Sequence, residues 1–289
     1  MKKRQNNYWN TIIRPKHGWF DFNIRELIQY RDLVVLLVKR NFTLIYKQTI
    51  LGPLWVLLQP LLTSTIFTVV FGAIAGLPTD GVPSFLFYLC GCIAWTYFAN
   101  CLTATSTTFR DNRALFVKVY FPRIAVPIAT VLYELVTFFV QYAFFLVMLI
   151  FLAAKPGSAI AVHWGLIALT PVLLFQMGLL GLGFGILVSA LTTRYRDLGL
   201  LVRFGVNLWM YATPVAYSST LVTERFPNLE WLYMLNPMTP VIQIFRSAYL
   251  GTEMIPLHYW AISMALTIFV FLLGVLLFTR VEKTFMDTI

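Results

Sequence analysis

Glu134 carries the most reactive side chain in the most apolar surroundings of this sequence. It stands in a hydrophobic run from Ile124 to about Ala153, and Thr137 and Gln141, three and seven positions on, share its helical face. A carboxylic acid at membrane depth is costly unless it meets a partner or a wet cavity. Two roles fit: a hydrogen-bonded acid holding helices together, or a titrating group on a transport route. A second polar stripe, Tyr97, Asn100, Thr103 and Thr107, follows helical spacing within another apolar run and faces helices or water rather than lipid. It too reads either as interhelical hydrogen bonding or as the lining of a route. No stretch matches GxxxxGK followed by Ser or Thr, HExxH, or a Cys/His metal spacing, and His17, His163 and His258 are scattered. Cys90, Cys92 and Cys101 fall in one apolar run and read as small buried side chains, not a disulfide framework or zinc site. Neither a catalytic residue nor a metal ligand is expected.

The elements that must position these groups are membrane helices. Hydrophobic residues make up 59% of the chain and charged residues 12%, far from the balance of a soluble domain. The joint is KRNFTLIYKQTILGPLWVLLQP, Lys39 to Pro60, where Gly52 frees one helix end and Pro53 suits the first turn of the next. Residues 1–53 read as a cytoplasmic basic arm and an interfacial helix; the arm, Met1 to Phe20, sets basic residues beside Trp9, Trp19 and Phe20, suited to an anionic headgroup surface, and no nucleic acid is expected. No apolar segment and cleavage site follow the first ten residues, so a cleaved signal peptide is not expected and the N-terminus reads as cytoplasmic. From Asn23, Ile24, Leu27, Ile28, Leu33, Val34, Leu37 and Val38 can share one face of a helix, either lying in the interface or docked on the rest of the protein.

Residues 54–289 read as a six-span domain. Leu54 to Ala75 is about 33 Å of helix, enough to cross, with a bend expected at Gln59-Pro60. Further spans are Pro83 to Thr108, Ile124 to about Ala153, Trp164 to about Leu191, Leu200 to about Tyr217, and Tyr259 to Thr279. Gly181, Gly185 and Ser189 form a small-residue ridge on the fourth. Between Ser218 and Leu257 the chain is too polar to span, yet Thr239 as N-cap, Pro240 and Gly251 frame a helix of about 16 Å, a re-entrant or outer-surface element. With both termini inside, 19 of the 22 Lys/Arg fall on cytoplasmic segments and only Lys155, Arg225 and Arg246 outside, as the positive-inside rule requires.

VKRNFTLIYKQTILGPLWVLLQPLLT (Val38 to Thr63), KVYFPR (Lys118 to Arg123), RYRDL (Arg194 to Leu198), TPVAY (Thr213 to Tyr217) and LNPMTPVIQIFR (Leu235 to Arg246) stand in an order that resembles the permease subunit of ABC-2 type polysaccharide exporters, the O-antigen, capsule and teichoic acid group. That resemblance implies six spans with an amphipathic N-terminal helix, two copies of the chain, and two separate ATPase subunits that bind ATP and Mg; no cofactor is expected in this chain. It implies a bacterial plasma (inner) membrane protein exporting a lipid-linked polysaccharide. A drug or lipid permease of the same scaffold, or an ion-coupled carrier using Glu134, are the alternatives. Because sugar rings stack on aromatic faces while their hydroxyls need partners, Trp55, Gln59, Trp95, Tyr97, Asn100, Thr103, Glu134, Gln141, Trp209 and Tyr211 are the candidate path residues. Arg110, Asp111, Arg113 and Arg194, on basic cytoplasmic turns, are the candidate ATPase contacts.

Overall fold

A computed structural model describes residues 28–47, 51–118, 121–155, 160–192 and 197–285. The arm Met1 to Phe20, residues 21–27 where the first helix is expected to begin, Arg194 and the last four residues lie outside these. All the described elements are helical: α1 (Arg31–Tyr46), α2 (Leu54–Phe67, continued by a π-helical Thr68–Ile74), α3 (Ser84–Ser106), α4 (Thr108–Asp111), α5 (Arg113–Lys118), α6 (Ala125–Ala153), α7 (Trp164–Ile167), α8 (Thr170–Thr192), α9 (Leu198–Tyr211), α10 (Ser219–Arg225), a 3-10 turn (Pro227–Leu229), α11 (Glu230–Met234), α12 (Met238–Leu250) and α13 (Leu257–Phe285).

Five helices are long and apolar enough to cross a membrane: α2 with its π segment, α3, α6, α8 and α13. The sixth apolar helix, α9, has 14 residues, about 21 Å, and is followed by a buried non-helical Thr213–Ala216. Gly52 at φ +50° and Pro53 just before α2 make the joint expected of them. The expected fourth span is broken in two, with α8 beginning at Thr170 and Pro171 in its first turn, where a missing N–H costs no helical bond.

The helix α3 is the axis, buried along most of its length and packed on α2, α6, α8, α9 and α12. Its closest neighbour is α8, and the glycine ridge explains why. A Cβ at Gly181 would stand 2.6 Å from Cys101 Cβ, and one at Gly185 would stand 2.5 Å from Thr105 Cβ. Backbone thus lies on side chain, and all three cysteines are buried and free. On its other side α8 meets α13, where Gly183 and Gly274 allow the same approach. With Val34 and Leu37 buried and Tyr30, Leu33 and Val38 half-buried, α1 docks on α6 and the α4–α5 turn.

The expected N-cap of α12 needs correction. Thr239 is inside the helix, and the first-turn donor Met238 N–H is taken by Asn236 Oδ1 at 3.2 Å. Asn236 also reaches back to Thr213 Oγ1 at 2.8 Å, so a side chain outside the helix does two jobs that Thr239 could not. At the other end Gly251 adopts φ +73°, the left-handed stop expected of it. Every residue of α12 is buried, a position tolerated for a short helix because protein, not lipid, surrounds it.

Candidate functional site

Among the polar groups of the interior, three clusters that tie one helix to another hold the candidate residues or their neighbours. Asn100 of α3 donates its Nδ2–H to Glu134 Oε2 of α6 at 3.1 Å. Glu134 is 8% exposed, so its carboxyl meets the protein interior. Thr103, one turn below Asn100, spends its hydroxyl on the Ala99 carbonyl. Tyr97, also buried, rests its hydroxyl over Gly178 of α8, where a Cβ would stand 2.6 Å from it.

The second cluster joins α2 to α6. Proline has no N–H, so Pro60 leaves the carbonyl four residues back, that of Val56, without its helical donor. Gln141 supplies one: its Nε2–H reaches Val56 O at 2.9 Å from a side chain 3% exposed. The helix runs unbroken through Pro60.

Arg246 dominates the third cluster. It is 2% exposed on α12, and its Nη2 donates to Pro214 O at 2.9 Å and Val215 O at 3.3 Å. Its guanidinium lies 3.7 Å from the Phe87 ring centroid. Gly91 makes room, since a Cβ there would come 2.8 Å from Nη2. The clasp thereby fastens the buried break after α9 and the buried helix α12 to α3. Nearby, Trp209 Nε1 donates to Asn236 Oδ1 at 3.1 Å, while its ring packs edge-on against Trp95, Phe98 and Phe184. Further out, Ser218 caps α10 and donates to Asp80 Oδ2 at 2.9 Å, linking the α2–α3 turn to the same assembly.

The candidate path residues therefore divide. Trp95, Tyr97, Glu134 and Gln141 are buried within the chain, and Asn100, Thr103 and Trp209 are half-buried in the same helix contacts. Trp55 and Gln59 lie one turn apart on an exposed face of α2, and Tyr211 is exposed at the end of α9. Arg203 and Asn207 precede Tyr211 at four-residue spacing and are exposed with it. The partner of Glu134 is Asn100. In the sequence Arg246 reads as an outer charge and, with Asn236, as part of the LNPMTPVIQIFR motif, and neither is assigned a role there. The signals were a cation in an apolar helix and an Asn-Pro step beside a buried turn.

At the α4–α5 turn Arg110 pairs with Asp111 at 2.9 Å, both partly solvated. Phe109 stacks on Phe278 of α13 with centroids 4.6 Å apart, and Asn112 Oδ1 accepts from Arg40 of α1 at 3.0 Å. Arg113 opens α5. The turn is thus anchored to α1 and α13 while Arg110 and Asp111 remain accessible.

Residues 32–250 match the ABC-2 type transporter family. The chain is 27% identical over 233 residues to the O-antigen export system permease protein RfbA of Klebsiella pneumoniae, covering 79% of this chain and 85% of that protein. Another Klebsiella pneumoniae protein of that name is 26% identical over 261 residues, covering 89% and 94%. The Myxococcus xanthus protein of that name is 28% identical over 228 residues, covering 78% and 83%. Such permeases are non-catalytic multi-pass subunits that pair with ABC ATPase subunits. With its long apolar helices, its buried polar contacts between helices and a match over most of its length, the chain belongs to the ABC-2 type transporter family as a membrane permease.

Proposed function

We propose that this permease exports a lipid-linked cell-surface polysaccharide, such as an O-antigen or teichoic acid, across a bacterial plasma membrane. The names of its relatives support the substrate class, and one observation supports the route. Arg203, Asn207 and Tyr211 form an exposed polar line along α9, an otherwise apolar helix that also exposes Leu200, Phe204 and Leu208. A guanidinium facing hydrocarbon costs about 2.5–3.5 kcal/mol even on insertion scales. The line is better placed facing water and a second copy of the chain, and Trp55 and Gln59 on α2 offer a matching aromatic and amide surface. A glycan needs both kinds of surface, aromatic faces for its C–H faces and polar groups for its hydroxyls.

The path runs between two copies, with α10 to α12 closing the end that the charge distribution puts outside. Two ATPase subunits holding ATP and Mg dock on the cytoplasmic turns, at Arg110, Asp111, Arg113 and Arg194, and both termini are cytoplasmic. Anchored through Phe109 to α13 and through Asn112 to α1, the α4–α5 turn passes ATPase movement into the helix bundle. The test is reconstitution with the ATPase encoded beside this chain. ATP-dependent appearance of a lipid-linked glycan outside supports the reading, with Arg203→Ala and Trp55→Ala each reducing export at unchanged assembly. Transport of a drug or free lipid in place of glycan refutes the substrate class. Export driven by a pH gradient without ATP refutes the coupling.

A further inference from the structure

Along the flank formed by α6 and α8 runs a cleft of about 680 Å³, with the Tyr97–Gly178 contact in its wall. Its rim is apolar and open: Leu132 and Phe139 of α6 are 41% and 50% exposed, and Phe175 of α8 is 66% exposed. Both helices are long and apolar enough to span, so bilayer hydrocarbon is the medium at this mouth. From Thr170 to Leu182, the two extremes along α8, the cleft extends about 18 Å at 1.5 Å per residue. One leaflet's hydrocarbon is about 15 Å deep, half of the ~30 Å core. The length therefore suits one lipid chain lying along the membrane normal.

The Thr170 end is polar. Tyr249 of α12 lies between Tyr142 of α6 and Thr170 of α8, its hydroxyl 2.6 Å from one and 2.8 Å from the other. All three residues line the cleft. Each carries one proton to donate, and two hydrogen bonds among three hydroxyls use two. The third proton is left for an acceptor oxygen. An acyl ester presents such an oxygen at the head of its chain, whereas a purely hydrocarbon filling does not.

We infer that the α6–α8 cleft binds one acyl chain of a glycerophospholipid, with the chain along Leu132, Phe139, Leu174 and Phe175 and an ester oxygen at the Tyr142, Tyr249 and Thr170 hydroxyls. The leaflet is the outer one, which rests on the topology proposed above. Because Tyr249 belongs to the buried helix α12, the bound lipid braces the element that closes the path.

The experiment uses the full chain in vesicles containing a phosphatidylethanolamine with a diazirine in one acyl chain. After illumination, adducts are mapped by peptide mass spectrometry. Adducts should concentrate on residues 128–142 and 170–182, above those on the exposed Phe269 and Leu272 of α13, which report ordinary surrounding lipid. Leu179→Trp and, separately, Leu132→Trp fill the cleft from its rim. Either should lower cleft adducts about tenfold, equivalent to ~1.4 kcal/mol of lost affinity, while α13 adducts stay constant. Size-exclusion profiles identify any variant that fails to fold, and the other then decides. Equal labelling of cleft and α13, or unchanged cleft labelling in a folded filled variant, overturns the inference. So does displacement of the adduct by a polyprenyl phosphate but not by unlabelled phosphatidylethanolamine, which would make the occupant a prenyl lipid. None of these readouts depends on glycan export, so a failed substrate assignment and a failed lipid site give different results.

Discussion

Replacing Arg246 by Met should open the protein locally, and the natural cysteines report it. The substitution keeps an unbranched apolar stem but removes the guanidinium, so the carbonyls of Pro214 and Val215 lose a donor in a buried site. Leaving a buried acceptor unpaired costs about 1–3 kcal/mol, hence roughly 2–6 kcal/mol for two. Loss of the contact with the Phe87 face adds about 2 kcal/mol for a desolvated cation. Against this, the variant no longer holds a charge out of water, a relief of several kcal/mol. A net destabilisation of about 3 kcal/mol is the expectation, near the lower end for breaking a buried charged contact. Cys90 and Cys92 flank Gly91, which touches the guanidinium, and both are buried free thiols. In wild type a maleimide reaches them only through rare opening. If the open population rises by ~3 kcal/mol, their labelling accelerates about 100-fold. Cys101 lies lower on α3 under Gly181 and serves as the control. Arg246→Lys, which keeps the charge but loses the planar fork, should fall between. Labelling of Cys90 and Cys92 that stays within about threefold of wild type (~0.6 kcal/mol) refutes the clasp. Equal acceleration at Cys101 refutes its local character.

Three further outcomes follow from the other contacts. Gln141→Leu should destabilise by about 1–3 kcal/mol because Val56 O is left without a donor; in a Pro60→Ala background the restored N–H should shrink that loss, and equal losses in thermal melts of both backgrounds would show that the proline is irrelevant. Glu134→Gln should keep the Asn100 contact and melt near wild type, while Glu134→Leu should cost about 1–3 kcal/mol; export that fails with Gln but not stability would instead assign the charge itself a transport role. Single cysteines at Phe116 and Asn228, in a background lacking the natural three, should label from opposite sides of the membrane, and cytoplasmic labelling of Asn228 would defeat the six-span topology.

The spans were legible because hydrocarbon imposes one rule on every residue of a helix. Leu54 to Ala75 was expected and Leu54–Ile74 is found; Ile124 to Ala153 was expected and Ala125–Ala153 is found. The glycine ridge was legible for a related reason, since the absence of a side chain at Gly181 and Gly185 says that something must come close. What comes close is Cys101 and Thr105, and no property of α8 alone names them. The fifth span shows where composition misleads. Leu200 to Tyr217 is apolar but for Arg203, Asn207 and Thr213, yet Thr213-Pro214 ends helical geometry, and the following turn is held at depth by Arg246, more than thirty residues later, which supplies donors.

The division among the candidate path residues has the same origin. Trp55, Gln59, Trp95, Tyr97 and Gln141 are alike in kind, each an aromatic or amide within an apolar helix, and periodicity places each on a face without saying what the face meets. Gln141 is drawn inward because Pro60, on another helix, leaves a carbonyl open. Tyr97 is drawn inward because Gly178 leaves a hollow. Gln59 lies one residue from Pro60, yet the proline's open carbonyl points away from it, toward α6, and Gln59 stays outside with Trp55. The inward placement of Gln141 and Tyr97 is therefore explained by a defect in a neighbour, a missing N–H for one and a missing side chain for the other. Each exposed one has no such defect to answer within the chain. For Arg203, Asn207 and Tyr211 the demand must come from beyond the single chain, which supports the proposal that a second copy, with water between copies, lies along α9 rather than along α6 or α8.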